Sequence, residues 1–256
     1  MKLAIILTAL NEEDHLRACL KNIFQALSTY KIDAEILAID DGSTDGTLAI
    51  MNEFALKDDR VRVVHHDVPH GVGASFWEAL NGVQAEVVCQ FPADNETNPW
   101  DVLRCYDVIK YVDMVIPFIC NSENRSFYRS CLSDCYRFIV NTTFFTNFNY
   151  TNGSVLYRVK MLKELDHRDT GFFFQTDILI RQTKKGYLFA EVPFRVDRRI
   201  SGESKAVTLH SFLIVAKSYL RLVKDFYFTK KLKRTKFLSR PDGEISELVP
   251  KQPIHR

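Results

Sequence analysis

The stretch Glu35–Thr47, EILAIDDGSTDGT, decides the fold of this 256-residue chain. Its apolar run, residues 36–39, ends in two acids, Asp40 and Asp41, which a Gly-Ser-Thr-Asp-Gly turn follows. This pattern predicts a buried β-strand that brings carboxylates to its carboxyl end, where open α/β sheets bind ligands. Because a carboxylate only accepts hydrogen bonds, such an edge suits the donor groups of a ribose or a base.

Two other interpretations of this stretch are weaker. An Asp-Gly turn between apolar segments also indicates a β-hairpin, but residues 48–56 have a helical rather than a stranded pattern. The order Asp41, Ser43, Asp45, Gly46 resembles the start of a calcium-binding loop. An EF-hand would need Glu where Asn52 stands, so we reject that site.

Composition and charge exclude several classes of protein. The chain is 46% hydrophobic and 26% charged, which predicts an ordinary globular core. Its net charge of +2 gives no argument for nucleic acid as a partner. The six cysteines form no CxxC pair, so we expect reduced thiols rather than a zinc site. No run approaches the ~20 apolar residues of a membrane span, and the first apolar run is too short for a secretory signal.

Short apolar runs alternate with helical patterns along the first half of the chain. This alternation predicts βαβ units and a mostly parallel central sheet flanked by helices. The predicted strands cover 3–7, 35–40, 61–65, 86–91, 113–119, 154–158 and 187–196, and the predicted helices cover 12–28, 44–57, 73–84, 98–110, 126–145, 160–165 and 173–185. We expect Asn11 to be the N-cap of the first helix, with acids in its first turn.

The last third of the chain predicts a long amphipathic helix. Apolar residues recur there at 4-3-4-3-4 spacing, namely Leu209, Leu213, Ala216, Leu220, Val223 and Tyr227. Packing on the domain is the common outcome for such a helix, and lying on a membrane surface is the alternative. We therefore divide the chain into a domain at 1–206, an amphipathic basic helix at 207–237 and a loose polar tail at 238–256.

Seven stretches in register carry a family resemblance. They are LTALNEE (7–13), AIDDGSTDGT (38–47), HGVGASFWEAL (70–80), FPADNET (91–97), TNGSVLYR (151–158), GFFFQTDILIRQTKKGYLFAEVPF (171–194) and RRISGESK (198–205). Together they resemble the family 2 inverting glycosyltransferases of the GT-A fold. The chain is most similar to the branch with dolichyl-phosphate mannose synthase and bacterial polyprenyl-phosphate sugar synthases. The resemblance implies transfer of a sugar from a nucleotide-diphosphate donor to polyprenyl phosphate.

The resemblance also implies which residues bind the nucleotide-sugar donor. They lie at the ends of the first, second and fourth strands and in a glycine turn: Thr8, Ala9, Asn11, Glu12, Asp40, Asp41, Gly71, Gly73, Ala93 and Asp94. The two glycines would let the backbone approach the nucleotide closely. A dinucleotide-binding GxGxxG motif is excluded here, because Phe76 stands where the third glycine belongs.

The metal motif is where the sequence departs most from the family. The family has Asp-x-Asp, but here Pro92 replaces the first acid and Asp94 keeps the second. The resemblance implies that Asp94 and Glu96 hold Mg²⁺ or Mn²⁺ and that Asp94 is catalytic, since the ion neutralises the leaving nucleoside diphosphate. The alternatives are a decayed site or weak metal dependence.

Cationic residues later in the chain are implied to bind phosphate of the lipid acceptor or the donor. One group is Arg125, Arg129 and Ser133, and the other is Arg199, Ser204 and Lys205 in the RRISGESK loop. A guanidinium suits this task because it can contact a phosphate through two N–H groups. The alternative is that these cations are simply solvated.

Asp177 is the candidate general base. Transfer to a hydroxyl needs a carboxylate that takes the acceptor proton, whereas a polyprenyl phosphate is already anionic and needs none. A purely structural alternative for Asp177 is an ion pair with Arg181, four residues later on the same helix face.

These expectations combine into a cytoplasmic glycosyltransferase that is peripheral at the membrane surface, with a membrane-protein partner as a possibility. Two other functions stay open. One is transfer to a hydroxyl of a cell-surface glycan, since Asn149, Asn152 and Ser154 depart from the mannose-synthase branch. The other is a non-catalytic nucleotide-sugar-binding protein, for which Pro92 is the argument.

Overall fold

The computed structural model of the chain describes residues 1–121, 127–195 and 209–229. The strands are β1 (Leu3–Ala9), β2 (Ala34–Asp40), β3 (Val61–His65), β4 (Val87–Pro92), β5 (Met114–Ile119), β6 (Leu156–Arg158) and β7 (Phe189–Phe194). The α-helices are α1 (Glu13–Thr29), α2 (Thr47–Lys57), α3 (Val72–Asn81), α4 (Pro99–Leu103), α5 (Phe127–Phe144), α6 (Val159–Lys163), α7 (Phe174–Lys185) and α8 (Leu209–Tyr227).

The strands form one mixed sheet in the order β3-β2-β1-β4-β6-β5-β7. Among the described strands, β6 alone runs antiparallel to its neighbours, β4 and β5, so the predicted mostly parallel sheet is confirmed. In the register of the sheet, Ala9 lies opposite Asp40 and Thr8 lies opposite Pro92. The carboxyl ends of β1, β2 and β4 therefore meet at one edge, as the sequence predicted.

Side chains of the central strand β1 alternate between two hydrophobic cores. Leu3, Ile5 and Leu7 are fully buried in one core with the apolar face of α1. Ala4 and Ile6 belong to the other core, which includes residues of α3, α5, α7 and α8. Each fully buried Leu or Ile contributes roughly 1.5–3 kcal/mol, so both layers hold the strand ends of the edge in place.

The predicted helix over 98–110 is wrong as a single element. The chain forms α4 and then a 3-10 helix, Tyr106–Lys110. Asn98 caps α4 by accepting a hydrogen bond from the Trp100 N–H, and Pro99 occupies its first turn. From the last residue of α4 onward the buried residues Leu103, Tyr106 and Ile109 recur every three residues, which matches the period of a 3-10 helix.

The expected N-cap of α1 is also wrong. Glu12 occupies the cap position without a side-chain cap bond, and Asn11 takes a left-handed conformation with φ 55°. The Asn11 side chain instead accepts a hydrogen bond from the Thr44 N–H across the edge of the sheet. The acids expected in the first turn are present as Glu13 and Asp14.

Helix α8 packs on the domain through an aromatic face. Leu222 is fully buried, and Tyr219 and Phe226 both make edge-to-face contacts with Phe144. Leu213 and Leu220, which belong to the predicted apolar stripe, are 59% and 63% exposed. The buried face is thus rotated from the predicted stripe. In the described part of the chain, no helix is long and apolar enough to cross a membrane.

Candidate active site

The turns after β1 and β2 are joined by reciprocal hydrogen bonds. The Asn11 N–H donates to Ser43 Oγ at 2.9 Å, and the Thr44 N–H donates to Asn11 Oδ1 at 2.8 Å. The Glu12 N–H donates to Thr47 Oγ1 at 2.9 Å. Because each turn satisfies backbone groups of the other, the two turns form one preorganised wall of the edge.

The acids Asp40 and Asp41 at the end of β2 each engage a histidine at the end of β3. Asp40 Oδ2 lies 2.7 Å from His65 Nδ1, and Asp41 Oδ1 lies 2.7 Å from His66 Nδ1. Both carboxyls are buried, with 0% and 6% of the residue exposed. Sequence reasoning did not assign a role to these histidines. The signal was present, since a strand parallel to β2 must end in residues that lie beside Asp40 and Asp41.

Asp41 also fixes the glycine turn that precedes α3. Its Oδ1 accepts a hydrogen bond from the His70 N–H and its Oδ2 accepts one from the Gly71 N–H, each at 2.8 Å. Burial alone would raise the pKa of Asp41, but these donors and His66 outweigh it and hold that pKa below its usual range. The carboxylate is therefore kept as an ionised acceptor at the edge.

The two glycines of the predicted donor site are required for different reasons. Gly71 has φ 92° and ψ 155°, a conformation that L side chains rarely adopt. At Gly73, a Cβ would lie 2.6 Å from the backbone carbon of Thr170. The close approach at Gly73 is thus to the protein's own backbone, and a contact of Gly73 with a nucleotide stays a prediction.

A chain of polar side chains runs from the end of β1 to α7. Gln90 Nε2 donates to Thr8 Oγ1 at 3.0 Å, and Gln175 Nε2 donates to Gln90 Oε1 at 3.2 Å. Gln90 and Gln175 are both buried, so the pairing satisfies polar groups that would otherwise be costly. It ties the predicted donor residue Thr8 to the helix that carries Asp177.

The predicted metal ligands lie in a tight turn after β4. Asp94 Oδ1 accepts a hydrogen bond from the Glu96 N–H at 3.0 Å, and the Ala93 N–H between the strand ends donates to the Thr8 carbonyl. Asn95 takes a left-handed φ of 57°, and its side chain accepts a hydrogen bond from Asn22 of α1. Asp94 and Glu96 are half-buried carboxylates, a hard-oxygen donor set that fits Mg²⁺ or Mn²⁺.

Asp177 is 2% exposed and lies in an ion pair with Arg181. Arg181 Nε donates to both Asp177 oxygens, at 2.9 and 2.8 Å, and Arg181 Nη2 donates to Asp225 of α8 at 2.7 Å. Burial raises the pKa of Asp177, and the Arg181 guanidinium opposes that rise. The ion pair of Asp177 with Arg181, the structural alternative, is thus present. A role of Asp177 as a base stays a prediction.

Most of the predicted phosphate-binding residues lie outside the described part of the chain. These are Arg125, Arg199, Ser204 and Lys205. Arg129 lies in α5 at a position whose side chain is outside the described part, and Ser133 is half-buried one turn further on. Their roles stay predictions.

A cavity of about 410 Å³ lies between the glycine turn, residues 168–172 and α8. Arg168, Lys217 and Arg221 line it, together with His70 and Gly71. Arg168 is held by a 3.1 Å hydrogen bond to Asn81 and by its position over the Trp77 ring. With three cations against one carboxyl, the buried Asp169, the lining of the cavity suits an anion. None of these three cations was among the site residues that the sequence predicted.

The sequence matches the family described as glycosyl transferase family 2 over residues 4–166. It is 28% identical over 219 residues to a polyprenol monophosphomannose synthase from Mycolicibacterium smegmatis, covering 78% of this chain and 79% of that protein. It is 26% identical over 220 residues to an undecaprenyl-phosphate mannosyltransferase from Micrococcus luteus, covering 80% of this chain and 87% of that protein.

Solved structures of similar fold include a mannosyl-3-phosphoglycerate synthase from Rubrobacter xylanophilus. The TM-score is 0.70 at 18% identity, over 94% of this chain and 78% of that one. A glucosyl-3-phosphoglycerate synthase from Mycobacterium tuberculosis, in complex with Mn²⁺, uridine diphosphate and phosphoglyceric acid, gives a TM-score of 0.65 at 17% identity, over 88% of this chain and 78% of that one. The predicted GT-A fold is thereby confirmed.

Proposed function

The chain belongs to glycosyl transferase family 2 and is a glycosyltransferase, and from that premise we propose that it transfers a sugar, with inversion, from a nucleotide-diphosphate donor to polyprenyl phosphate. One observation carries the proposal. The turn at His70 and Gly71 is bonded to Asp41 of the acidic edge and also lines the cationic cavity. A donor held at the edge and an anionic acceptor held by the cations would meet at this turn.

The edge of β1, β2 and β4 would hold the donor. Asp40 and Asp41 are buried and bonded to His65 and His66. Their remaining acceptor capacity would take the hydroxyl and N–H groups of a nucleoside, as the carboxyl ends of such sheets do in general. Asp94 and Glu96 would hold Mg²⁺ or Mn²⁺ beside Thr8. When bound, the ion would neutralise the charge that develops on the leaving diphosphate.

The acceptor proposal rests on charge. An oxygen of the lipid phosphate attacks the anomeric carbon, the carbon–oxygen bond to the nucleoside diphosphate breaks, and the diphosphate departs with the bonding electrons. Arg168, Lys217 and Arg221 would position the attacking phosphate by hydrogen bonds and charge. The names of the two relatives support this acceptor, since one is a polyprenol monophosphomannose synthase and the other an undecaprenyl-phosphate mannosyltransferase.

A phosphate acceptor also agrees with the state of Asp177. A hydroxyl acceptor needs a base that is free to take a proton, but both Asp177 oxygens accept from Arg181. An acceptor that arrives ionised needs no such group. Asp177 would then serve by joining α7 to α8 through Arg181 and Asp225.

The exposed apolar residues of α8 support a peripheral position at a membrane. Phe212, Leu213 and Leu220 are 65%, 59% and 63% exposed, beside Lys217 and Arg221 of the cavity. Apolar side chains next to cations suit the boundary of an anionic bilayer, where the phosphate of a polyprenyl lipid lies. A membrane-protein partner would likewise hold the enzyme at the bilayer surface.

A transfer assay tests the proposal. The protein is incubated with a panel of nucleotide sugars, polyprenyl phosphate and a hydroxyl-bearing oligosaccharide, with Mn²⁺ or with EDTA, and products are detected by mass. We expect a lipid-phosphate sugar that forms with Mn²⁺ and not with EDTA. A glycosylated oligosaccharide without any lipid product would overturn the acceptor, and an equal yield in EDTA would overturn the metal.

A further inference from the structure

Three ligating side chains converge beside α3, none of them among the predicted metal ligands. They are His66, His70 and Glu78, and one ligand atom of each lies within 4.8 Å of the others. His66 Nε2 lies 3.0 Å from Glu78 Oε2, and His70 Nδ1 lies 4.0 Å from the same oxygen. These separations are close to those between ligands of one small cation, whose bonds to such atoms are about 2.0–2.2 Å long.

Asp41 orients one of these ligands. His66 Nδ1 is 2.7 Å from Asp41 Oδ1, a position from which an Nδ1–H can donate to the carboxylate and leave Nε2 to bind a metal ion. Histidines that bind metal ions commonly donate their other N–H to a carboxylate in this way. His66 is 5% exposed, so its ring is held in place by the surrounding protein.

The other two ligands are open to solvent. The side chains of His70 and Glu78 are 47% and 50% exposed. The rings of His66 and His70 are stacked with their centroids 4.2 Å apart, which keeps the two imidazoles adjacent. An ion can therefore reach the buried Nε2 from solvent, with small adjustments of two exposed side chains.

From this cluster we propose a second metal site, which takes a divalent transition-metal ion of the Zn²⁺ class. Two imidazole nitrogens and one carboxylate suit Zn²⁺, Co²⁺ or Ni²⁺, whereas Mg²⁺ prefers oxygen ligands only. Three protein ligands leave a position for water or another donor. The bound ion joins α3 at Glu78 to the His70 turn, which Asp41 holds at the edge of the sheet.

Binding of Co²⁺ tests the site without any activity assay. Because Cys131 and Cys135 are exposed and one helical turn apart, they are first replaced by Ser, which removes thiols that could also bind the ion. Metal-free protein is then titrated with Co²⁺ in excess Mg²⁺, and both the heat and the visible absorption of bound Co²⁺ are recorded.

We expect a single Co²⁺ to bind with an absorption typical of nitrogen and oxygen ligands. His70→Ala and Glu78→Gln should each weaken this binding by at least about tenfold, since even the loss of a residue that supports a ligand has such an effect. Both side chains are half exposed, so neither change should disturb folding. His15→Ala, a histidine of α1 outside the cluster, is the control and should bind Co²⁺ as before. Unchanged affinity in both cluster variants, or no binding, would overturn the site.

Discussion

The turn after β2 and the helix pair α7–α8 shift the pKa of a carboxyl group in opposite directions. Asp45 lies in the turn and accepts hydrogen bonds from the backbone N–H groups of Glu13 and Thr47. Burial raises the pKa of Asp45, but hydrogen bonds from Thr47 and then Glu13 outweigh it, and the net pKa is lowered. Asp177 lies in α7 between packed helices, and there burial prevails over Arg181 and raises the pKa.

The difference shows how each half of the site is built. The edge of β1, β2 and β4 uses backbone amides and short side chains, which lower the pKa values of Asp41 and Asp45, and its geometry follows from the strand ends. The α7–α8 pair depends on one buried guanidinium, Arg181, which connects Asp177 to Asp225 across the two helices. We therefore expect changes at the edge to affect chemistry, and changes at α7–α8 to affect stability.

The largest effect is expected at the edge. Asp94→Ala should lower the rate of metal-dependent transfer by about 10²–10³-fold, because it removes a proposed ligand of the charge-neutralising ion. Thermal unfolding should be nearly unchanged, since Asp94 is half-buried in a turn. Asp107→Ala, an exposed acid of the 3-10 helix, is the control and should keep its activity. Full metal-dependent activity in Asp94→Ala would refute the assignment.

The ion pairs between α7 and α8 should determine stability. Asp177→Ala should lower the free energy of unfolding by about 3 kcal/mol, because it leaves a buried guanidinium with one carboxylate fewer. Asp225→Ala should have a smaller effect, since its side chain is 22% exposed and Arg181 keeps Asp177. Urea denaturation measures both. Equal losses of unfolding free energy in the two variants would contradict the larger stabilisation that we assign to the buried Asp177–Arg181 pair.

A substitution in the packed face of α3 should have an intermediate effect on stability. Gly73→Ala should lower the free energy of unfolding by about 2 kcal/mol, because the new Cβ would lie 2.6 Å from the Thr170 backbone. Gly82→Ala, at the end of the same helix, is the matched control. Its Cβ would meet the nearest atom at 3.6 Å, an ordinary contact. If Gly73→Ala were as stable as Gly82→Ala, α3 would be able to move away from residues 170–171 at no cost, and the close packing at Gly73 would not be required.

Acid should affect the two regions in opposite directions. The pKa of Asp45 is lower in the folded than in the unfolded state, so its stabilising contribution is present above about pH 4 and is lost as the pH falls. The raised pKa of Asp177 acts the other way. The folded state binds this proton more tightly than the unfolded state does, and the stability gained in this way is lost as the pH rises. Asp45→Asn should therefore reduce the acid-induced loss by about 1 kcal/mol. Urea midpoints from pH 6 downward, with Asp177→Asn for comparison, measure this difference.

Sequence alone predicted the sheet and its acidic edge because those features are local. An apolar run followed by acids specifies both a buried strand and the position of Asp40 and Asp41. The Arg181–Asp225 pair spans 44 residues and depends on how α8 docks, which periodicity does not determine. The apolar stripe of α8 was misplaced for the same reason. The role of Asn11 was missed because a hydrogen bond to Thr44, 33 residues away, replaced the local cap.

In the proposed reaction the acceptor arrives already anionic and needs no base from the protein. The most direct measurement is the rate at which folded Asp177→Asn protein transfers sugar to polyprenyl phosphate, compared with the wild type. We predict a loss of less than about tenfold, smaller than the 10²–10⁴-fold that general-base catalysis typically contributes. A loss in that larger range, at unchanged donor binding, would contradict the claim, since it would show that transfer to this acceptor depends on the Asp177 carboxylate.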